Sequence, residues 1–324
     1  MSRVSVVIPN WNGAELLSAL LPSLSAQEYP VDRVIVVDNG SSDDSASVAR
    51  QAGASVLELD RNAGFSAAVN RGIRECETEW IVILNNDVEL SLGWLGALME
   101  RAEATGAWFA SGKLLLASQR DRLDGTFDAV CKGACSWRCG SGRRDAPLWN
   151  RERAVHFVPF TAALFRAQLF ESVGFLDEAF ESYLEDVDFG FRCALRGLAG
   201  IYVPTAVAYH RGSATLGRWH PDTVYRMARN QLFLVARHYP AGWIRQFGWH
   251  VLVAQALWGF LAARHGAGWA FIRGKLAGLR QFRKMRSPGP CAVTAILEQS
   301  EREILDLQRA EGFDAYWRLY FALT

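Results

Sequence analysis

The chain has 324 residues, 50% of them hydrophobic and 21% charged, with a formal net charge of +1. That length and composition suit one large domain or one domain with an appendage, and they exclude a disordered chain. The small net charge conceals an asymmetry: no acidic residue lies between Asp222 and Glu298, that stretch carries eleven Lys and Arg residues, and the rest of the chain therefore sums to −10. An acidic body joined to a basic section is a statement about partners.

The N-terminus, MSRVSVVIPN, runs straight into a strand over residues 4–9, so no signal peptide is expected and the six cysteines should be thiols in a cytosolic protein. A leucine-spaced helix follows over 15–25, interrupted or ended near Pro22. Residues 33–38 (RVIVVD) form a second strand, closed by the turn-rich NGSSDDS and a helix over 46–52. A third strand spans 55–60, and Phe65, Val69, Ile73 and Cys76 recur at helical spacing after it. The fourth strand, WIVIL, stops at Asn85-Asn86-Asp87.

Apolar strands alternating with helices predict an α/β fold, a parallel sheet covered on both faces. Ligands of such sheets bind beyond the carboxyl ends of the strands. The polar tips PNWNG, DNGSSDD, DRNAGF and NND all fall at that edge. No G-x-G-x-x-G follows the first strand and no G-x-x-x-x-G-K-[ST] occurs, which removes dinucleotide-binding and P-loop enzymes. A lone carboxylate at a strand end, flanked by amides, suits a hard divalent cation that keeps positions open for phosphate oxygens. Cys131, Cys135 and Cys139 recur every four residues, a spacing that matches neither a zinc pair nor a ferredoxin run; an irregular loop or a helix face is the simpler reading.

The succession PNWNG, VDNGSSDDS, RNAGFSAAVNRG, LNND, YLEDVDFGFR and YHRGS resembles the family 2 glycosyltransferases, inverting enzymes of the GT-A fold, and most closely their rhamnosyltransferase-like branch. The match spans about residues 4–215. The resemblance implies a Rossmann-like, mostly parallel sheet with helices on both faces, plus a C-terminal helical section. Asn85-Asn86-Asp87 stands where the family has its Asp-x-Asp motif. Asp87 matches the metal-binding acid; Asn85 replaces the first acid and adds no charge, which implies a weaker site for Mn2+ or Mg2+. His210 matches the second protein ligand of the metal. Asp186 matches the base that takes the acceptor proton, and its neighbour Glu185 would bond the acceptor or raise a pKa. Asp188 has a structural use, pairing with Arg192 one helical turn on. Pro9, Asn10, Trp11 and Asn12 would line the nucleotide pocket, with Asp38 accepting the N3–H of uracil or thymine. Arg61, Asn62, Gly64 and Asn70 would face the base and diphosphate with Asn86.

Residues 120–152 fall where the family forms its variable acceptor pocket; Trp137 and Trp149 there serve equally as sugar platforms or as core. Beyond Thr223 the chain turns helical and basic. Residues 246–263 are apolar for 18 residues, the lower limit for a membrane span, and His250, Gln255 and two glycines weaken that reading. Residues 264–286 set seven cations among aromatic and aliphatic side chains, which fits a helix lying in an anionic membrane surface. A packed helical appendage or a homo-oligomer contact is the competing use, and no motif supports nucleic acid. A final amphipathic helix is expected over 294–308. These readings combine into a catalytic domain over 1–220 and a basic helical section over 221–324. The expected enzyme is a metal-dependent inverting hexosyltransferase, peripheral on the inner face of the plasma membrane. Its donor would be a pyrimidine nucleotide sugar, dTDP-L-rhamnose before a UDP-sugar, and its acceptor a glycan or lipid-linked glycan of a bacterial surface polysaccharide. A sugar nucleotidyltransferase and a non-catalytic glycan-binding module are the alternatives.

Overall fold

The computed structural model describes residues 1–212, 217 and 219–324, so Ser213 of the YHRGS motif lies outside the described residues. In chain order the first elements are β1 (Val4–Asn10), α1 (Ala14–Ser25), β2 (Arg33–Asp38), α2 (Ser45–Gln51), β3 (Ser55–Glu58), α3 (Phe65–Ile73) and β4 (Trp80–Leu84). β5 (Val88–Leu90), α4 (Trp94–Thr105), β6 (Phe109–Leu116), β7 (Gln119–Gly125), β8 (Asp128–Val130), β9 (Ser136–Arg138), β10 (Arg153–Val155) and β11 (Ala162–Arg166) follow. The chain continues with α5 (Gln168–Val173), α6 (Glu185–Ala194), β12 (Gly200–His210), α7 (Pro221–His238), α8 (Trp243–Arg264), α9 (Gly268–Met285), α10 (Val293–Glu311) and α11 (Ala315–Leu323).

Two units result, Met1–Phe127 with Gly140–Ala214 and Asp128–Cys139 with Thr215–Thr324. A single break near residue 220 therefore misses one feature: the segment Asp128–Cys139, from the middle of the chain, belongs to the second unit.

The first unit is built on one sheet in the order β10-β12-β6-β11-β4-β1-β2-β3, with β5 on β12 and β7 on β6. β4, β1, β2 and β3 are parallel, which brings their carboxyl ends to one rim. β11 enters antiparallel between β4 and β6, so the sheet is mostly rather than wholly parallel. Its central strands are apolar on both faces because helices cover both: all five residues of β4 are buried. α1 presents Leu17, Leu20, Leu21 and Leu24, and it runs through Pro22 to Ser25 instead of breaking there. An interior proline costs about 3 kcal/mol. Each of the four buried leucines returns about 1.5–3 kcal/mol, and the Ser18 carbonyl that loses its bond belongs to an exposed residue.

In the second unit β8 and β9 form a hairpin whose register runs Asp128↔Arg138 to Val130↔Ser136. Cys131 and Cys135 close it, the Cys131 N–H donating to the Cys135 carbonyl at 3.0 Å, so the four-residue spacing marks a hairpin end and not a helix face. The hairpin is tied to α10: Ser300 Oγ accepts the Val130 N–H at 2.7 Å, and Glu301 accepts the Lys132 N–H at 3.1 Å and its ammonium at 2.8 Å. Lys275, on α9, turns its ammonium inward onto Ala228 O (2.9 Å), Gln231 Oε1 (2.8 Å) and Gln255 Oε1. Burial pushes that ammonium's pKa down to about 7 against the pull of Cys135. α10 extends beyond the expected 294–308 and does not close the chain, since α11 follows with buried Trp317 and Tyr320. Among the described residues no helix is long and apolar enough to cross a membrane.

Candidate active site

Parallel strands deliver the first two tips. Asn10, at the end of β1, is 2% exposed; its Oδ1 accepts Asn86 Nδ2 at 2.6 Å, and its Nδ2 donates to Asp38 Oδ1 at 3.4 Å. β1, β2 and the NND tip are thereby joined through one amide. Pro9 is half-buried beside it, Trp11 stands exposed, and Asn12 takes a left-handed φ of 48° so that its Oδ1 caps the Ser42 N–H at 2.8 Å. Asp38 is more committed than its motif suggests. Oδ1 takes the Ser41 hydroxyl at 2.5 Å along with Asn10, and Oδ2 takes the Ser41 N–H at 3.2 Å, so the carboxylate holds the turn and keeps acceptor capacity for a base N–H on Oδ2.

Asn39, which sequence reasoning passed over, ties β2 to the third tip. Its Nδ2 donates to Asn62 Oδ1 (3.1 Å) and the Gly64 carbonyl (3.2 Å), and its Oδ1 accepts the Ala63 N–H (2.8 Å). Gly40, at φ +73°, lets Arg61 pass: a Cβ there would lie 2.6 Å from the Arg61 Cα. Arg61 and Asn62 are exposed on the rim.

Gly64 (φ +91°) opens α3 against the segment that leads to the candidate base, and a Cβ there would sit 3.0 Å from the Glu181 carbonyl oxygen. The first N–H groups of α3 have no partner within the helix. Ser66 N–H donates to Glu181 O at 2.9 Å and Phe65 N–H to Ser182 Oγ at 3.2 Å. Asn70 does not face the rim, contrary to the expectation from its motif. It is 1% exposed, with Nδ2 donating to Leu176 O (2.9 Å) and Glu178 Oε1 (3.0 Å) and Oδ1 accepting the Leu176 N–H (3.0 Å). It braces the chain ahead of α6.

That chain is strained. Glu181, Tyr183 and Leu184 hold φ of 60°, 72° and 66°, a cost of about 1–3 kcal/mol each that concentrates at functional sites. It ends in Glu185 and Asp186, the first residues of α6; Glu185 is buried, and Asp186 Oδ1 accepts the Val187 N–H at 2.8 Å. Asp186 lines a small cavity with His156, Val158 and Phe160. The residue after Phe160, Thr161, accepts the Asn85 N–H at 2.8 Å, so one short segment connects the NND tip with the surroundings of Asp186. Asp188 takes its structural place, 2.9 Å from Arg192.

The metal candidates meet through the sheet. His210 ends β12 opposite Val88 of β5, which sets it beside Asp87, and His210 Nε2 lies 3.2 Å from Asp87 Oδ1. That oxygen faces the imidazole, and Asn85 Oδ1 is a buried acceptor without a hydrogen-bond partner among the described residues. Leaving such an atom unmet costs about 1–3 kcal/mol, and a hydrogen-bond donor on a bound ligand would satisfy it. The other face of the imidazole is fixed: Nδ1 is 2.9 Å from Oδ2 of Asp124, carried on β7. Burial disfavours imidazolium here, but the hydrogen bonds and charges of Asp124 and Asp87 outweigh it and raise the His210 pKa to about 9. No group of three or more His, Cys, Asp or Glu side chains able to hold a metal occurs among the described residues. The donor set therefore fits a cation with two protein ligands, Asp87 and His210, and the rest from phosphate or water. Asp124 lies in QRDRLDG, where no motif marks it. Trp149, left open between sugar platform and core, is fully buried.

Residues 5–174 match the family model described as Glycosyl transferase family 2, and the chain belongs to that family. It is a glycosyltransferase, and the family decides against a sugar nucleotidyltransferase. It is similar to an N-acetylglucosaminyl-diphospho-decaprenol L-rhamnosyltransferase of Mycobacterium tuberculosis, 29% identical over 292 residues that cover 80% of this chain and 90% of the relative. A pre-mycofactocin glycosyltransferase of Mycobacterium tuberculosis is 31% identical over 223 residues, covering 67% of this chain and 44% of that one. Among solved structures, GalNAc-T7 with UDP, GalNAc and Mn2+ superposes with a TM-score of 0.64 at 13% identity, over 97% of this chain and 58% of that one. The mannosyltransferase PcManGT of Pyrobaculum calidifontis, in complex with GDP-Man and Mn2+, gives 0.54 at 17% identity over 99% and 86%. At these identities the likeness establishes the fold, GT-A.

Proposed function

We propose that this enzyme transfers one sugar, with inversion, from a pyrimidine nucleoside diphosphate donor to a hydroxyl of a glycan or lipid-linked glycan in bacterial surface polysaccharide synthesis. The observation that carries the proposal is the pairing of Asp87 Oδ1 with His210 Nε2 at 3.2 Å, with the unmet Asn85 Oδ1 two residues away in the chain, on the same rim as the Asn10–Asp38 turn. A divalent cation, Mn2+ or Mg2+, bound by Asp87 and His210 would neutralise the charge that grows on the leaving diphosphate. The residues of the chain do the rest. Asn10, Asn12, Asp38, Asn39 and the Arg61–Asn62 tip shape the nucleotide site, with Oδ2 of Asp38 the acceptor for a pyrimidine N–H. Asp186 takes the proton of the attacking hydroxyl while that oxygen bonds the anomeric carbon from the face opposite the diphosphate. Glu185, buried beside it, would hydrogen-bond the acceptor.

dTDP-L-rhamnose is the leading donor and a UDP-sugar the alternative, on the strength of the rhamnosyl relative. The name of that relative also supports a polyprenyl-diphosphate-linked acceptor, which would set the reaction at the inner face of the plasma membrane. Thermal-shift measurement against a panel of nucleotide sugars with Mn2+, followed by donor hydrolysis and transfer assays on the donors that bind, tests the reading. Stabilisation by dTDP- or UDP-sugars with slow hydrolysis is expected. Stabilisation by purine donors alone, or by none, removes it.

A further inference from the structure

We propose that the outer faces of α8 and α9 form a docking surface for an anionic lipid bilayer, lying flat in the headgroup layer. The inference deepens the acceptor reading above, and its test separates the two. On α8 one stripe of the helix, at spacings of three and eight, exposes Trp249 (58%), Leu252 (60%) and Phe260 (66%), bounded by Arg245 and Arg264 at the helix ends. On α9 a second stripe exposes Trp269 (69%), Ile272 (47%), Leu276 (46%) and Leu279 (60%). Arg273, Arg280 and Lys284 follow these residues along one flank of it and are exposed as well.

The two helices are neighbours, since Gly259 of α8 admits the Phe271 ring of α9 and Trp258 lies against that same ring. α11 extends the α8 stripe: Trp249 Nε1 donates to the Leu323 carbonyl at 2.7 Å, and Leu319 and Leu323 are themselves about half exposed. Water-soluble surfaces rarely gather this many large apolar side chains in one patch.

Charge decides the occupant. An exposed apolar face would serve a protein partner or a second copy equally well, but this one has no acidic residue from Thr223 to Leu297 to complement its own cations. A second copy would set arginine against arginine. An anionic headgroup layer accepts both features at once, apolar side chains below and guanidinium groups at phosphate depth. Neither helix spans: α8 is 22 residues long, yet fails the hydropathy needed to cross.

Co-sedimentation of the full chain with phosphatidylcholine vesicles, and with vesicles that also contain phosphatidylglycerol, tests this. Partition should be at least about tenfold higher on the anionic vesicles and should fall with added salt. Replacing Arg280→Glu with Lys284→Glu should lower it by at least about tenfold, and Leu276→Ser with Leu279→Ser should lower it on both vesicle types. Unchanged circular dichroism and nucleotide binding in these variants would show that the fold is intact; a variant that unfolds is replaced as a readout by the wild-type Trp emission, which should shift blue and be quenched by brominated lipid. Equal partition on neutral and anionic vesicles, or none on either, overturns the proposal. So does a dimer that Leu276→Ser and Leu279→Ser dissociate while vesicles stay unbound. Vesicle binding without nucleotide binding would leave docking intact and remove the transfer reading; nucleotide binding without vesicle binding does the reverse.

Discussion

Asp124 Oδ2 lies 2.9 Å from Nδ1 of His210, and the opposite ring nitrogen of that histidine lies 3.2 Å from Asp87. A carboxylate behind an imidazole fixes the ring and directs the lone pair of the far nitrogen, an arrangement whose loss weakens metal binding by about 10–100-fold. Asp124→Asn should therefore raise the Mn2+ dissociation constant by that factor, read by electron paramagnetic resonance of free ion, while nucleotide affinity without metal stays the same. Unchanged Mn2+ affinity would mean that Asp124 only packs the strand.

The metal requirement has a direct check. Exhaustive chelation should abolish transfer, and Mn2+ should restore it more readily than Mg2+, because imidazole suits the softer of the two ions. Full activity after chelation counts against Asp87 and His210 as ligands.

For the base, Asp186→Asn should reduce turnover by about 100- to 10,000-fold, the span of general base contributions, and leave donor binding unaltered in a thermal shift. Near-normal turnover removes Asp186 from the role.

Asn70 offers a test of positioning. Asn70→Ala strands the Leu176 N–H and carbonyl in the interior, which costs about 1–3 kcal/mol. Because that segment carries the chain into α6, kcat should drop while the donor KM holds. A rise in KM alone would return Asn70 to the donor pocket.

Lys275 predicts a pH effect. Its folded pKa, pushed down by burial to about 7, lies below the ordinary lysine value of 10.5. Between those values the folded state binds fewer protons than the unfolded, so stability gained above the upper value is lost as pH falls toward the lower. Relative to Lys275→Met, the wild type should gain stability from pH 7 upward with a slope of at most about 1.4 kcal/mol per pH unit. The difference between the two proteins cancels groups that titrate alike in both and leaves Lys275 together with Cys135, whose charge acts on it. A difference that does not change with pH would show that the ammonium is charged throughout.

Much of the first unit was legible because its signals are local. Apolar runs of five or six residues ending in polar tips mark buried parallel strands, and β1, β2 and β4 lie where those runs do. The NND tip, the Glu-Asp pair and His210 were found by motif. Asn70 shows the limit of that method: its motif places it correctly in the chain, but which way the amide points depends on Leu176 and Glu178, more than a hundred residues away.

The sequence by itself determined the alternation of strand and helix, the polar rim and the concentration of cations after Asp222, since each follows from neighbours in the chain. Only the tertiary structure decided that Asp124 stands behind His210, that Asn39 joins two rim loops, that Asp128–Cys139 belongs with the C-terminal helices, and which apolar side chains of α8 and α9 stay uncovered. Contacts of that kind depend on strand order and helix packing, and free energies of pairing between distant segments leave no periodic trace in the residues that make them.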